Sequence, residues 1–248
     1  MQISVIGAQA AWPTPDEPCS CFLITHRGYR LILDIGTGSF STLSRLIRPE
    51  HVDAVVISHG HPDHVADLHP LLRARALGGL NPPQLPVYAL PEAVSAVLAL
   101  DEPGLIDEFY SLVSVETGDE LQIGPFSVTV ETLPHFVPNV GFRLECENEI
   151  VVYTGDAGPS HRLHSFARNA TWLIAEATFP EHVPGRYQGF LSDAASVAKV
   201  AAEAHVRGLL LTHRWPGENP ADFVNVARRH FGGRVEVAMS GMTLDFGQ

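Results

Sequence analysis

Short apolar runs alternate along the chain with stretches whose apolar residues recur at helical spacing. Ile3–Ile6, Cys21–Thr25 and Arg30–Ile35 read as strands, with turns at Arg27-Gly28 and Gly36-Thr37-Gly38. Phe40–Ile47 reads as a short helix that stops before Pro49, and Asp53–Ser58 as a buried strand. Val65, Leu68, Leu71 and Leu72 share one helical face, which predicts a helix over Asp63–Arg75. After the Pro/Gly-rich stretch Gly78–Pro86 come a strand at Val87–Leu90 and a helix opening at Pro91, a residue suited to the first helical position. Strands follow over Phe126–Leu133, Gly141–Cys146 and Ile150–Thr154, then a short helix near Ser160–Arg168. The strand Thr171–Ala175, the helix Ser192–Ala204, the strand Gly208–Thr212 and the helix Pro220–Phe231 come next, and strands at Val235–Met239 and Thr243–Phe246 close the chain.

This order suits a layered α/β sandwich of two mixed sheets with helices outside. A dinucleotide-binding fold suits it less, because no G-x-G-x-x-G follows the first strand and too many strands are consecutive. No internal repeat or linker-like segment stands out, so residues 1–248 read as one domain.

Composition narrows the partners. A net charge of −12 argues against holding DNA or RNA on a broad basic surface. The opening Met1–Gly7 has no basic leader, and no apolar run reaches the length of a membrane span. A soluble, cytoplasmic protein is expected. The three cysteines, Cys19, Cys21 and Cys146, are too few and too irregular for a disulfide framework and read as structural.

The chemistry concentrates in Ser58-His59-Gly60-His61-Pro62-Asp63-His64, where a buried strand gives way to a helix. Histidines two residues apart in extended chain project to one side. Pro62 then bends the chain, and Asp63 falls at the helix start, where a carboxylate is favoured. Imidazole nitrogens and carboxylate oxygens at this density suit zinc, iron or manganese. Three more donors follow apolar strands: His135 after Leu133-Pro134, Asp156 after Tyr153-Thr154-Gly155, and His213 after Leu211-Thr212. Each strand would deliver one ligand to a common rim. His51, His69, His161, His164, His205 and His230 lack this context and read as surface or locally bonded residues.

On these residues the chain resembles the metallo-β-lactamase superfamily, whose main signature is His-x-His-x-Asp-His. The resemblance covers nearly the whole chain. It implies an α/β (α+β) fold, a four-layer αββα sandwich. It also implies two divalent metal ions, zinc first, with manganese or iron accepted by the same donors. His59, His61 and His135 would hold one ion; Asp63, His64 and His213 the other; Asp156 would bridge them. An Asp at that bridge, where many true β-lactamases have Cys, argues against a β-lactamase. Gly141-Phe142-Arg143 after His135, Tyr153-Thr154-Gly155-Asp156 and Glu176-Ala177-Thr178-Phe179 are similar to the ribonuclease Z-like branch. Leu209–Pro216 and Gly7-Ala8-Gln9-Ala10-Ala11-Trp12-Pro13 look still more like that branch's bacterial cyclic-nucleotide phosphodiesterases.

Two departures shape the expectation. The region between Asp156 and Trp172 is too short for the arm with which ribonuclease Z grips tRNA, so tRNA processing is not expected. Phe190 stands where that branch usually has a His that assists proton transfer. His182, in the same loop, could take that role. The implied activity is hydrolysis of a small, perhaps cyclic, nucleotide phosphodiester by a hydroxide shared between metals roughly 3.5–4 Å apart. Asp63 and Asp156 would orient the nucleophile, and Glu176 would steady a ligand histidine. Arg214, Arg143 and Arg186 are candidate cations for the phosphate, and Trp215 and Phe136 candidate stacking surfaces. A lactonase or esterase on the same scaffold, or a metal-binding module without catalysis, are the competing readings. The resemblance also implies a homodimer.

Overall fold

The computed structural model describes residues 1–246, which fold as two compact units: residues 1–115 with 239–246, and residues 116–238. No linker composition marks either boundary in the sequence.

The first unit holds β1 (Gln2–Gly7), β2 (Cys21–His26), β3 (Tyr29–Leu33), α1 (Ser39–Leu46), β4 (Ala54–Val56), α2 (Pro62–Val65), α3 (Leu68–Leu77), β5 (Leu85–Ala89), α4 (Pro91–Leu98) and β6 (Tyr110–Ser114). Among the described residues its sheet has seven strands, the closing strand Thr243–Asp245 lying at the edge beside β1. β1, β2 and β3 form an antiparallel meander, and β3, β4, β5 and β6 run parallel. Parallel neighbours need crossovers, which α1, α2–α3 and α4 supply. Leu43, Leu68, Leu71, Leu72 and Val94 pack there against Ile32, Val55, Ile57 and Val87.

The second unit holds β7 (Glu120–Ile123), β8 (Phe126–Thr132), β9 (Val140–Cys146), β10 (Glu149–Tyr153), α5 (His161–Phe166), β11 (Trp172–Glu176), α6 (Ala194–Glu203), β12 (Gly208–Thr212), α7 (Pro220–Ala227) and β13 (Arg234–Val237). Here β7 to β10 form the antiparallel run and β10 to β13 the parallel one. α6 is an alanine-rich helix, AASVAKVAAE, whose small residues pack closely over Leu173, Leu209 and Leu211. The Asp193 side chain caps it by accepting from the Ser196 N–H, and Asn219 caps α7 ahead of Pro220.

Three features differ from the sequence reading. The helix expected over Asp63–Arg75 is two helices, because the Asp67 N–H turns away to donate to the Ile35 carbonyl. The strand expected over Asp53–Ser58 stops at Val56. Ser58 then donates its N–H to the Asp34 carboxylate and leaves the ladder. β6 and β7 had no clear apolar signal, being short and partly exposed. Among the described residues no helix is long and apolar enough to cross a membrane.

Candidate metal centre

In the first unit the donors follow from strand register. Leu33 on β3 pairs with Val56 on β4, so the next residue, Asp34, stands level with the turn that leaves β4. Asp34 is fully buried and has a left-handed backbone, φ 54°, which is costly for a residue with a Cβ. The turn aims its carboxylate at three donors. Oδ1 accepts from the Ser58 N–H at 2.7 Å, and Oδ2 from the Ser58 hydroxyl at 2.6 Å and His64 Nδ1 at 2.7 Å. Because the Ser58 hydroxyl hydrogen goes to Asp34, its oxygen accepts from His59 Nδ1 at 3.0 Å. One carboxylate thereby fixes the tautomer and direction of two imidazoles, each keeping Nε2 as its basic atom.

The remaining donors of the motif converge with them. His59 Nε2 and His61 Nδ1 face each other at 3.1 Å, and the His59 and His64 ring centroids are 4.2 Å apart. Asp63 Oδ2 lies 3.8 Å from His64 Nε2 and accepts from the Ala11 N–H at 2.7 Å. Ala11 itself has a positive φ of 61°, so the loop after β1 is bent to present that amide.

The second unit builds a comparable group on its parallel strands. Asp156 follows β10, and its Oδ2 lies 3.1 Å from His213 Nε2 and 3.7 Å from His135 Nε2. His213, at the end of β12, also has a left-handed backbone, φ 63°. Its Nδ1 lies 3.0 Å from the Thr178 hydroxyl, which donates its hydrogen to Glu176 Oε1 at 2.5 Å. Thr178 thus accepts from Nδ1, and Nε2 is turned toward Asp156. Glu176 is fully enclosed and also accepts from the Thr178 and Ser192 N–H groups. Burial, and then the Asp156 charge, push its carboxyl up to about 8. His135 Nδ1 donates to the Phe190 carbonyl at 3.0 Å, so its Nε2 too faces Asp156.

His59, His64, His135 and His213 each donate from Nδ1 to an oxygen and present Nε2 to a carboxylate or another imidazole, whereas His61 presents Nδ1 to His59 Nε2. That is the donor arrangement a divalent cation requires, and its nitrogen and oxygen atoms suit zinc, manganese or iron. The sequence motif pointed to candidate donors but not to their supports. Asp34, Ser58 and Thr178 were missed because a single polar residue after a strand carries no spacing signal.

Other expected residues fall elsewhere. Glu176 acts through Thr178 rather than by touching a histidine. The Arg143 guanidinium is committed to Glu145 and to the carbonyls of Phe166 and Arg168 at the end of α5. Arg214 donates to the Glu218 carbonyl across its own turn and lies over Phe223, with half-buried Trp215 beside it. His182 is exposed in the loop before α6 and joins neither donor group. Phe136 is 47% exposed and stacks on Phe190. His69 pairs with Asp101 and His164 with Glu203, the local roles expected for both. Cys19, Cys21 and Cys146 are buried and form no disulfide, and burial with the nearby Asp63 charge pushes the Cys19 thiol up to about 12.

Comparison with known proteins bears on this arrangement. The metallo-beta-lactamase superfamily description matches residues 14–182. The chain is 29% identical over 252 residues to the probable metallo-hydrolase YhfI of Bacillus subtilis, covering 97% of this chain and 98% of that one. The crystal structure of YhfI, a metallo-β-lactamase fold protein, superposes with a TM-score of 0.89 over 98% of each chain, at 28% identity. Human tRNase Z, short form, superposes at 0.80 with 20% identity over 99% of each chain. A diphosphatase from the PhnP family does so at 0.75 with 16% identity, over 99% of this chain and 97% of that one. At these lower identities the likeness is one of fold.

Proposed function

The chain belongs to the metallo-β-lactamase superfamily and takes its α/β sandwich fold, and from this we propose that it is a metal-dependent hydrolase of phosphodiester bonds in small, including cyclic, nucleotides. In this reading His59, His61 and His135 hold one divalent ion, and Asp63, His64 and His213 hold a second, with Asp156 common to both. The carrying observation is Asp156 Oδ2, set beside the Nε2 atoms of both His135 and His213. A single carboxylate placed between two imidazoles of different sets is what a shared ligand needs. Ions bound there would supply Lewis acidity to a substrate oxygen and to water.

The chain's own residues hold that geometry. Asp34 directs His64 and, through Ser58, His59. Glu176 directs His213 through Thr178, and the Phe190 carbonyl directs His135. Asp63, pinned by the Ala11 amide, and Asp156 would also orient the attacking water. Zinc is the proposed ion, since the nitrogen and oxygen donors suit it. A phosphodiester fits the relatives whose names denote cleavage at phosphorus, tRNase Z and the diphosphatase. A small substrate fits the span between β10 and β11, which carries only the six-residue α5. A homodimeric assembly and a cytoplasmic location belong to the same proposal.

The test is metal analysis of the purified protein, then assays of cyclic nucleotides, bis(p-nitrophenyl) phosphate and lactones with zinc and with manganese. Bound divalent metal and phosphodiester cleavage are expected. Turnover of lactones alone would replace this reading with an esterase.

A further inference from the structure

The loop between β11 and α6 carries a group of aromatic side chains beside His135. The Phe136 and Phe190 rings stack, with centroids 4.6 Å apart and planes 28° from parallel. Tyr187 meets Phe136 edge-on at 6.4 Å and lies 5.6 Å from Phe179, and the Arg186 guanidinium covers the Tyr187 ring at 4.5 Å. The stack is held to the candidate centre at both members. Phe136 directly follows His135, with ring centroids 5.3 Å apart, and the Phe190 carbonyl accepts from His135 Nδ1. Gly158 sets the loop's seat. A Cβ there would come within 2.2 Å of the Gly189 carbonyl oxygen, so only glycine lets the two backbones touch.

Despite their mutual contact, Phe136 and Phe190 remain 47% and 40% exposed. Other large apolar side chains are as open, such as Trp12 at 52%, so it is the stacked pairing beside His135 that sets these two rings apart. Rings fixed in direction by the backbone, already stacked and still half open, form a surface for a further planar group.

We propose that the Phe136–Phe190 stack is a specificity subsite that takes the planar aromatic part of the substrate, a nucleobase in the case of a nucleotide. The phosphorus end would then lie toward His135, so the proposal rests on reading His135 as part of the hydrolytic centre. Stacking is sequence-tolerant because every base has a π-face, and the subsite would favour bases over bare sugar phosphates without selecting strongly among bases.

The test compares binding of AMP and ribose 5-phosphate, in which a C1 hydroxyl replaces the base, to the zinc-loaded protein by calorimetry. AMP is expected to bind on the order of 10-fold more tightly. Phe136→Leu and Phe190→Leu, which keep apolar bulk but remove the π-face, should each draw that ratio toward one. Equal or absent binding of the two probes by the native protein, or a ratio kept in both variants, would overturn the subsite. Phosphodiester hydrolysis is scored separately. A base-dependent ratio without hydrolysis would retain the subsite and remove the reaction, whereas hydrolysis with no ratio would do the reverse.

Discussion

Asp34 carries more of the candidate centre than any residue outside the motif. It is buried, holds a strained φ and serves three donors. Replacing it by Asn leaves the volume but sets an amide N–H against donors on at least one side. The expected result for Asp34→Asn is a metal affinity lower by roughly 10- to 100-fold, read by competition with a chelator, with the circular dichroism spectrum kept. Unchanged affinity would remove Asp34 from the support of His59 and His64. Glu176 makes a pH-dependent prediction for the metal-stripped protein. Its carboxyl is pushed up from 4.5 to about 8 by burial and by Asp156, so the folded state binds the extra proton between those values. Stability from this group is then highest below about 4.5 and is lost as pH rises through about 8. Melting temperatures measured at pH 5 and pH 8 should differ less in Glu176→Gln than in the native protein. An equal difference in both would deny the buried, proton-holding carboxyl. His59, His61, Asp63 and His64 were legible in the sequence because four donors in six positions are hard to explain otherwise. Asp34 and Thr178 were not, since their meaning comes from a neighbouring strand's register.

The elements show the same division. β4, β11 and β12 are buried along their length and read directly as apolar runs. β6 and β7, short and partly exposed, are strands because a neighbour offers them a ladder, which no local pattern announces. The break between α2 and α3 is likewise tertiary. Asp67 accepts from the Phe40 N–H at the start of α1 and donates its own N–H to Ile35. Close backbone approach is also invisible in sequence. Gly36 meets the Asp63 carbonyl so tightly that a Cβ would lie 1.9 Å from its oxygen. Gly158→Ala tests the seat of the aromatic loop. Overpacking should cost about 1–3 kcal/mol in urea unfolding and loosen the Phe190 carbonyl from His135. A stability equal to native would show that the loop is not seated on Gly158.

Across the whole chain the two units share a strand plan that the sequence does not display as a repeat. In each, three antiparallel pairings are followed by three parallel ones across a sheet of seven strands. In each, residues of the candidate centre follow buried parallel strands: the supporting Asp34 after β3 and His59 after β4, then Asp156 after β10 and His213 after β12. Parallel strands end on the same side of their sheet, so within each unit residues far apart in sequence come to one edge. The fold class was therefore readable from the order of elements, while the equivalence of the halves, lying in topology alone, was not. The central claim is that these donors make two metal sites sharing Asp156. Zinc titration of the metal-stripped protein, followed by calorimetry, tests it most directly. The account predicts two equivalents bound per chain, and fewer than two retained at the same concentration in Asp156→Ala. One equivalent or none in the native protein, or two still held by Asp156→Ala with native affinity, would contradict it.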